Sequence, residues 1–196
     1  MTKAVILLEE GAQDEEFIYA YHRMIEEGWD VDVATPSVRK KYGETVTGLP
    51  KIVCGKFGVP LKVTRATEEL REPDYDLVVI PGGFVSPDML RMRPEVLRFV
   101  GAMFGAGKLV AAICHGPWVT ISAGIMKGFA ATCYASLKDD LINAGAIYLD
   151  VPVVVDRNLI TAPHYKNNGD FMREVVKFMR EKTIQEGLAR AYANAP

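Results

Sequence analysis

The sequence predicts an α/β fold, a three-layer sandwich with a mostly parallel central sheet and a small β-hairpin or loop insert. Three observations point there. Short apolar runs (KAVILL, DLVVI, LVAAI) have the composition of strands covered on both faces. Amphipathic segments at helical spacing alternate with them. Each run stops abruptly at acidic, Gly or Pro residues, or at a polar pair, as strand ends do.

In chain order, residues 3–8 form the first strand. Residues 15–28 follow as a helix, with Phe17, Ile18, Tyr21, Met24 and Ile25 at three- and four-residue spacing and Gly28 closing it. Residues 29–34 (WDVDVA) alternate and supply the next strand. The stretch 36–62 holds glycines at 43, 48, 55 and 58 and prolines at 36, 50 and 60, which predicts hairpins and loops outside the main sheet, a candidate lid or subunit contact. One helical turn at 67–70 precedes a buried strand at 76–80, broken by Pro81-Gly82-Gly83. Residues 94–106 give a helix with Val96, Leu97, Val100 and Met103 on one face, and 108–113 the next strand. A short helix (119–125), a strand (129–133), a helix (138–144) and a hairpin (151–155 with 159–161, around Asp156-Arg157-Asn158) follow. A final helix over about 168–190, capped by Asn168 or Asp170, turns Phe171, Val175, Phe178 and Met179 to the core. Beyond 183 the pattern weakens. The whole chain, 1–196, reads as one domain.

With 49% hydrophobic and 24% charged residues the composition is that of a soluble globular protein. A net charge of −2 offers no broad basic field for nucleic acid, and Arg39-Lys40-Lys41 reads as a solvated loop. No run approaches the ~20 apolar residues of a membrane span, and the N-terminus lacks a signal-peptide pattern. Cys54, Cys114 and Cys133 are odd in number and widely spaced, which fits a reducing cytoplasm rather than a disulfide framework. Neither a metal nor another cofactor is expected: HxH, HExxH, GxGxxG and P-loop patterns are all lacking.

In an open α/β sheet ligands bind beyond the carboxyl ends of the strands. Three such ends carry unusual chemistry: residues 9–16, residues 81–88, and Cys114–Trp118 in LVAAICHGPW. A strand-Cys-helix junction has the form of a nucleophile elbow, a strained turn that lifts the nucleophile above the sheet and leaves amides around it. A helix starting near Gly116 would favour the thiolate, and the Gly82-Gly83 turn could add an oxyanion donor. Buried packing is the ordinary fate of a free cysteine. It suits Cys133, and Cys54 reads as incidental; the elbow and the following His-Gly-Pro set Cys114 apart. His22 reads as a packing or surface residue, and His164, near a strand end, as a weaker candidate for the crevice.

The order YAYHR, DYDLVVIPGG, SPDMLR, GKLVAAICHGP, ISAG, DDLINAGA and VVVD-x-N-L-I-T resembles the ThiJ/PfpI family over nearly the whole chain. The resemblance implies a flavodoxin-like sandwich, Cys114 as nucleophile, His115 as its adjoining histidine, Glu16 as hydrogen-bond partner of the sulfur, and Gly83 as an oxyanion donor, with Gly82 and Gly116 beside the substrate. It also implies that Asp88 reaches a histidine of a neighbouring subunit in a dimer or hexamer. Two departures stand out. Gln13 replaces a common acidic residue, and Phe84-Val85, with Trp118, suggest a more apolar mouth.

These residues predict a cysteine-dependent enzyme acting on a small carbonyl or acyl compound, of glyoxalase, deglycase or hydrolase type. The alternatives are an oligomeric cysteine peptidase and a redox stress sensor or holdase built on Cys114. An amidotransferase glutaminase fits less well, because Ala112 stands where those enzymes usually carry glycine and a His-x-Glu pair is lacking.

Overall fold

A computed structural model describes residues 1–41 and 44–193. The elements are β1 (Lys3–Leu7), α1 (Asp14–Glu26), β2 (Asp30–Thr35), β3 (Val38–Lys41), β4 (Glu44–Thr47), β5 (Ile52–Cys54), β6 (Pro60–Lys62), β7 (Arg65–Ala66), β8 (Leu77–Ile80), α2 (Val85–Leu90), α3 (Pro94–Gly105), β9 (Leu109–Ile113), α4 (Pro117–Ser122), β10 (Ala130–Ala131), α5 (Lys138–Asn143), β11 (Ile147–Tyr148), β12 (Val154–Asp156), β13 (Leu159–Ala162) and α6 (Asn168–Ala193). Seven strands form the central sheet in the order β12-β13-β9-β8-β1-β2-β7, parallel throughout except for β12 against β13.

The apolar runs explain the layers, since successive side chains of a strand point to opposite faces. Ile6, Val79, Ala111 and Ile160 face Phe17 and Met24 of α1 and Phe171 and Val175 of α6. Val5, Leu7, Val78, Ile80 and Val110 face Val96, Val100 and Met103 of α3 and Val119 of α4. Fully burying each of these Val, Leu, Ile, Phe and Met side chains stabilises the fold by about 1.5–3 kcal/mol, so β1, β8 and β9, covered on both faces, form a stiff centre.

Several elements differ from expectation. The strand at 129–133 shrinks to β10, which pairs with β11 in a separate two-stranded sheet. The amides of its first residue and of the residue after it are taken by side chains of the neighbouring hairpin: Ala130 N–H donates to Asp156 Oδ2 (2.8 Å) and Thr132 N–H to Thr161 Oγ1 (2.9 Å). Helix α2 replaces a loop, with Pro87 tolerated in its first turn, where no intrahelical amide is required. Strand β7, only two residues at the sheet edge, carried no apolar signal. Neither Asn168 nor Asp170 caps α6. The chain enters it through a 3₁₀ turn at Tyr165–Asn167, where His164 Nδ1 accepts from Lys166 N–H, and the Asn168 amide instead donates to the Glu15 carbonyl (3.1 Å).

The stretch after β2 forms two hairpins, β3–β4 and β5–β6, outside the central sheet. Arg39-Lys40-Lys41 is part of β3 rather than a solvated loop, and Arg39 is largely covered, 3.7 Å from Glu10. The side chains of Lys40 and Lys41, Gly43, and residues 194–196 of the tail lie outside the described residues. Among the described residues, no helix is long and apolar enough to cross a membrane.

Candidate active site

Strands β9, β8 and β1 are neighbours, so the segments that follow them meet at one edge of the sheet. At the end of β9 the backbone turns sharply, and Cys114 adopts φ 61°, a left-handed conformation that costs an L-residue about 1–2 kcal/mol. Three hydrogen bonds hold the turn: Cys114 N–H to Ala162 O (2.9 Å), Tyr134 N–H to Cys114 O (2.9 Å) and Gly116 N–H to Ile113 O (2.8 Å). Backbone strain kept in place by the central sheet is the structural mark of an elbow.

Glu16 projects from the first turn of α1 to this point. Its Oε2 accepts the Gly82 N–H at 2.6 Å. The carboxyl lies against the Cys114 thiol, and Oε1 has no other hydrogen-bond partner. Gly82 fits because a Cβ there would meet Cys114 Cβ at 2.6 Å and Glu16 Oε2 at 2.8 Å. Gly83, at φ 77°, takes a conformation closed to most side chains and aims its N–H at the sulfur, as does His115. The amides of Gly82 and Gly116 are thus already engaged, and Gly83 and His115 carry the donors that face Sγ. Gly116 instead permits close packing: a Cβ would collide with the Ile80 carbonyl.

Burial pushes the Glu16 carboxyl up to about 7, against the pull of the Gly82 amide and the thiol. Burial and the charge of Glu16 likewise push the Cys114 thiol up, while the Gly83 and His115 amides draw it down. This differs from the simple thiolate expected of an elbow: α4 is only six residues long and begins with proline, so it contributes little field. Sulfur and carboxyl act as one coupled unit. Burial raises both groups and the charge on one disfavours ionising the other, so the pair gives up one proton well before the second and the two groups then share the one that remains.

His115 Nδ1 lies 3.2 Å from Sγ. Its ring stacks on Tyr134 (4.7 Å between centroids, 25°) and meets Trp118 edge-on (5.3 Å). Burial, chiefly, and nearby Lys56 hold its pKa below the usual histidine value. Trp118 does not form the mouth: its Nε1 donates to Asp140 Oδ2 (2.8 Å), tying α4 to α5. A cavity of about 270 Å³ opens above the sulfur, lined by Gln13, Lys56, Phe84, His115, Tyr134, His164 and Tyr165 together with Gly83. Lys56 and Tyr134 were not expected here. They arrive from the β5–β6 hairpin and from the segment after β10, and no local pattern marks either one.

Asp88 sits exposed on α2 and does not line the cavity. Cys133 is buried in the core, its thiol pushed up to about 12 by burial, Cys54 is exposed on β5, and His22 is exposed on α1. Among the described residues, no cluster of three or more His, Cys, Asp or Glu is arranged to hold a metal ion.

An α/β sandwich with a cysteine on a strained elbow, next to a buried carboxyl and two inward-facing amides, has the site of a cysteine-nucleophile protein. The profile of the DJ-1/PfpI family matches residues 2–178, and the chain belongs to that family. It is 38% identical to a deglycase of Pyrococcus abyssi over 178 residues, covering 91% of this chain and 99% of the relative. With the PfpI deglycase of Pyrococcus furiosus it shares 38% over 168 residues, 86% and 93% of the two chains. YraA of Bacillus subtilis, a candidate cysteine protease, is 41% identical over 130 residues, 66% of this chain and 76% of YraA. Among solved structures, a two-domain protein of Anabaena variabilis with DJ-1/ThiJ/PfpI-like and ferritin-like domains superposes at TM-score 0.82 and 34% identity; the match covers 91% of this chain and spans about half (48%) of that one. Drosophila melanogaster DJ-1β superposes at TM-score 0.79 and 26% identity, over 100% of this chain and 99% of that one.

Proposed function

We propose that the chain is a cysteine-dependent enzyme converting small carbonyl compounds or their adducts, of the deglycase or glyoxalase type. The observation that carries this reading is the meeting of Cys114 Sγ, the Glu16 carboxyl and the amides of Gly83 and His115 at the floor of one cavity. As Sγ forms a bond to the carbonyl carbon, the thiol proton passes to Glu16, and the carbonyl π pair moves onto oxygen. The Gly83 and His115 amides, beside the sulfur, can receive that oxyanion. Glu16 then returns the proton to oxygen, giving a hemithioacetal. With a 2-oxoaldehyde, a proton shift to the second carbon yields a thioester of the 2-hydroxy acid, which water releases. No external oxidant or reductant is required.

The names of the Pyrococcus relatives support this reading. The chain acts as one domain within a homo-oligomer. The test is consumption of methylglyoxal and of its thiol and amine adducts by wild type and by Cys114→Ala. Loss of turnover by at least ~10³-fold in the variant is expected; equal turnover in both proteins sinks the proposal.

A peptidase is the second reading, favoured by Asp88, which stands exposed and free on α2 and could complete the site of a neighbouring subunit. Peptide cleavage abolished by Cys114→Ser and weakened by Asp88→Ala would select it. Cleavage that survives both changes would dismiss it.

A further inference from the structure

The β5–β6 hairpin places a cation on the rim of the cavity, and the cavity wall holds a buried amide with an unused polar atom. We propose that Lys56 and Gln13 form a subsite for a carboxylate on the substrate, so that the protein prefers carbonyl adducts bearing an anionic group over neutral ones. The chemistry rests on the function proposed above; the binding preference does not.

Lys56 is delivered by a firmly fastened backbone. Its N–H donates to Ala12 O (2.8 Å), and Gly11 N–H donates to Cys54 O (2.8 Å). The Asp14 carboxylate, at the start of α1, accepts the amides of Phe57 (2.8 Å) and Val59 (3.0 Å). The tip of the hairpin is thus bound to the helix that carries Glu16. The ammonium lies 5.2 Å from the centre of the Phe57 ring and 5.9 Å from that of Phe84. Aromatic faces attract a cation without neutralising it, and among the described residues no carboxylate lies within ion-pair distance of Nζ. Among the described residues, Lys56 is the sole lysine or arginine lining the cavity.

Gln13 is only 5% exposed and lines the same cavity, yet its Oε1 has no hydrogen-bond partner. An unsatisfied buried polar atom costs about 1–3 kcal/mol; the oxygen as placed would be relieved by a donor, whereas a carboxylate, which only accepts, needs the amide turned round. Rotating the amide by 180° exchanges its oxygen and nitrogen, so Gln13 can present donors to a carboxylate. The resemblance noted from sequence implies an acid at this position. An acid would neutralise Lys56 and repel an anion, whereas glutamine leaves the lysine charge available. Of the other titratable groups around the cavity, Glu16 and Cys114, sharing one proton, carry a single negative charge at the floor, beyond ion-pair distance of Nζ, while His115 and His164 are both held toward their neutral forms by burial.

Two matched pairs of probes test this. The first is the hemithioacetal of methylglyoxal with N-acetylcysteine, which carries a carboxylate, against that with N-acetylcysteine amide, which does not. The ratio of the two kcat/KM values should fall about tenfold in Lys56→Ala and in Gln13→Glu, the size expected of one charge-assisted hydrogen bond. It should be largely restored in Lys56→Arg and fall with added salt in wild type but not in Lys56→Ala. The second pair, N-acetylglycine against N-acetylglycinamide, is titrated by NMR into full-length Cys114→Ser, where no chemistry occurs. If wild type turns over neither hemithioacetal, the proposed function fails while the titration still decides the subsite. Equal binding of the two glycine derivatives, or a turnover ratio unchanged in Lys56→Ala, overturns it.

Discussion

Two buried carboxyls follow β1 seven residues apart, and they have become different things. Glu9 is 3% exposed and Glu16 is 1% exposed, and burial raises both to about 7. Glu9 is opposed by guanidinium groups: Arg93 approaches only to 4.0 Å, and Arg39 adds its field. Its proton has no reacting neighbour. Glu16 is contacted by the neutral amide of Gly82 and by the thiol, so its proton can move to and from sulfur. A perturbed carboxyl therefore marks a functional site only when a proton partner stands beside it.

The largest effect that could sharpen this contrast is on rate. Glu16→Gln should lower kcat for methylglyoxal by about 10²–10³-fold. The wild-type profile of kcat/KM should rise with pH through about 7, as the coupled pair enters its one-proton state, and then level off. That inflection should vanish in Glu16→Gln and persist in Glu9→Gln. An inflection that survives in Glu16→Gln would show that another group controls it.

A smaller effect concerns stability. A carboxyl whose folded pKa lies above its unfolded value binds more protons folded than unfolded between about 4.5 and 7, so it lowers stability as pH rises through that window. For Glu9 the decline is roughly 3 kcal/mol, complete above pH 7. Denaturation of Glu9→Gln at pH 5 and pH 8 should show a shallower decline than wild type, with the gain confined to pH 8. A variant as steep as wild type would mean that Glu9 remains ionised at little cost. Smallest is Ser86→Ala. Its fully buried hydroxyl accepts the Glu9 N–H at 2.9 Å, so its loss should cost about 1–2 kcal/mol by chemical denaturation and leave the rate inflection in place.

The same contrast shows what a sequence discloses. Strands β1, β8 and β9 were legible because burial on both faces demands continuous apolar runs, and the elbow because Cys114 ends one of them before Gly116-Pro117. Glu16 was accessible only through resemblance, since nothing local separates it from Glu15. The depressed thiol expected of the elbow did not appear, because burial and the charge of Glu16 oppose it and the short α4 adds little field. Lys56, Tyr134 and the hydrogen-bonding state of Gln13 depend on contacts between segments far apart in the chain, to which periodicity is blind. Edge strand β7 and helix α2 were missed for a simpler reason, being too short to repeat any pattern.

The backbone of Cys114 is bonded on one side to β13, through Ala162, and on the other to the segment after β10, through Tyr134. Disordering that residue therefore means parting the end of β9 from β13 and from the segment after β10 together. Amide exchange at position 114 should be among the slowest in the molecule, and on heating, catalytic competence and native structure should disappear at one temperature rather than in sequence.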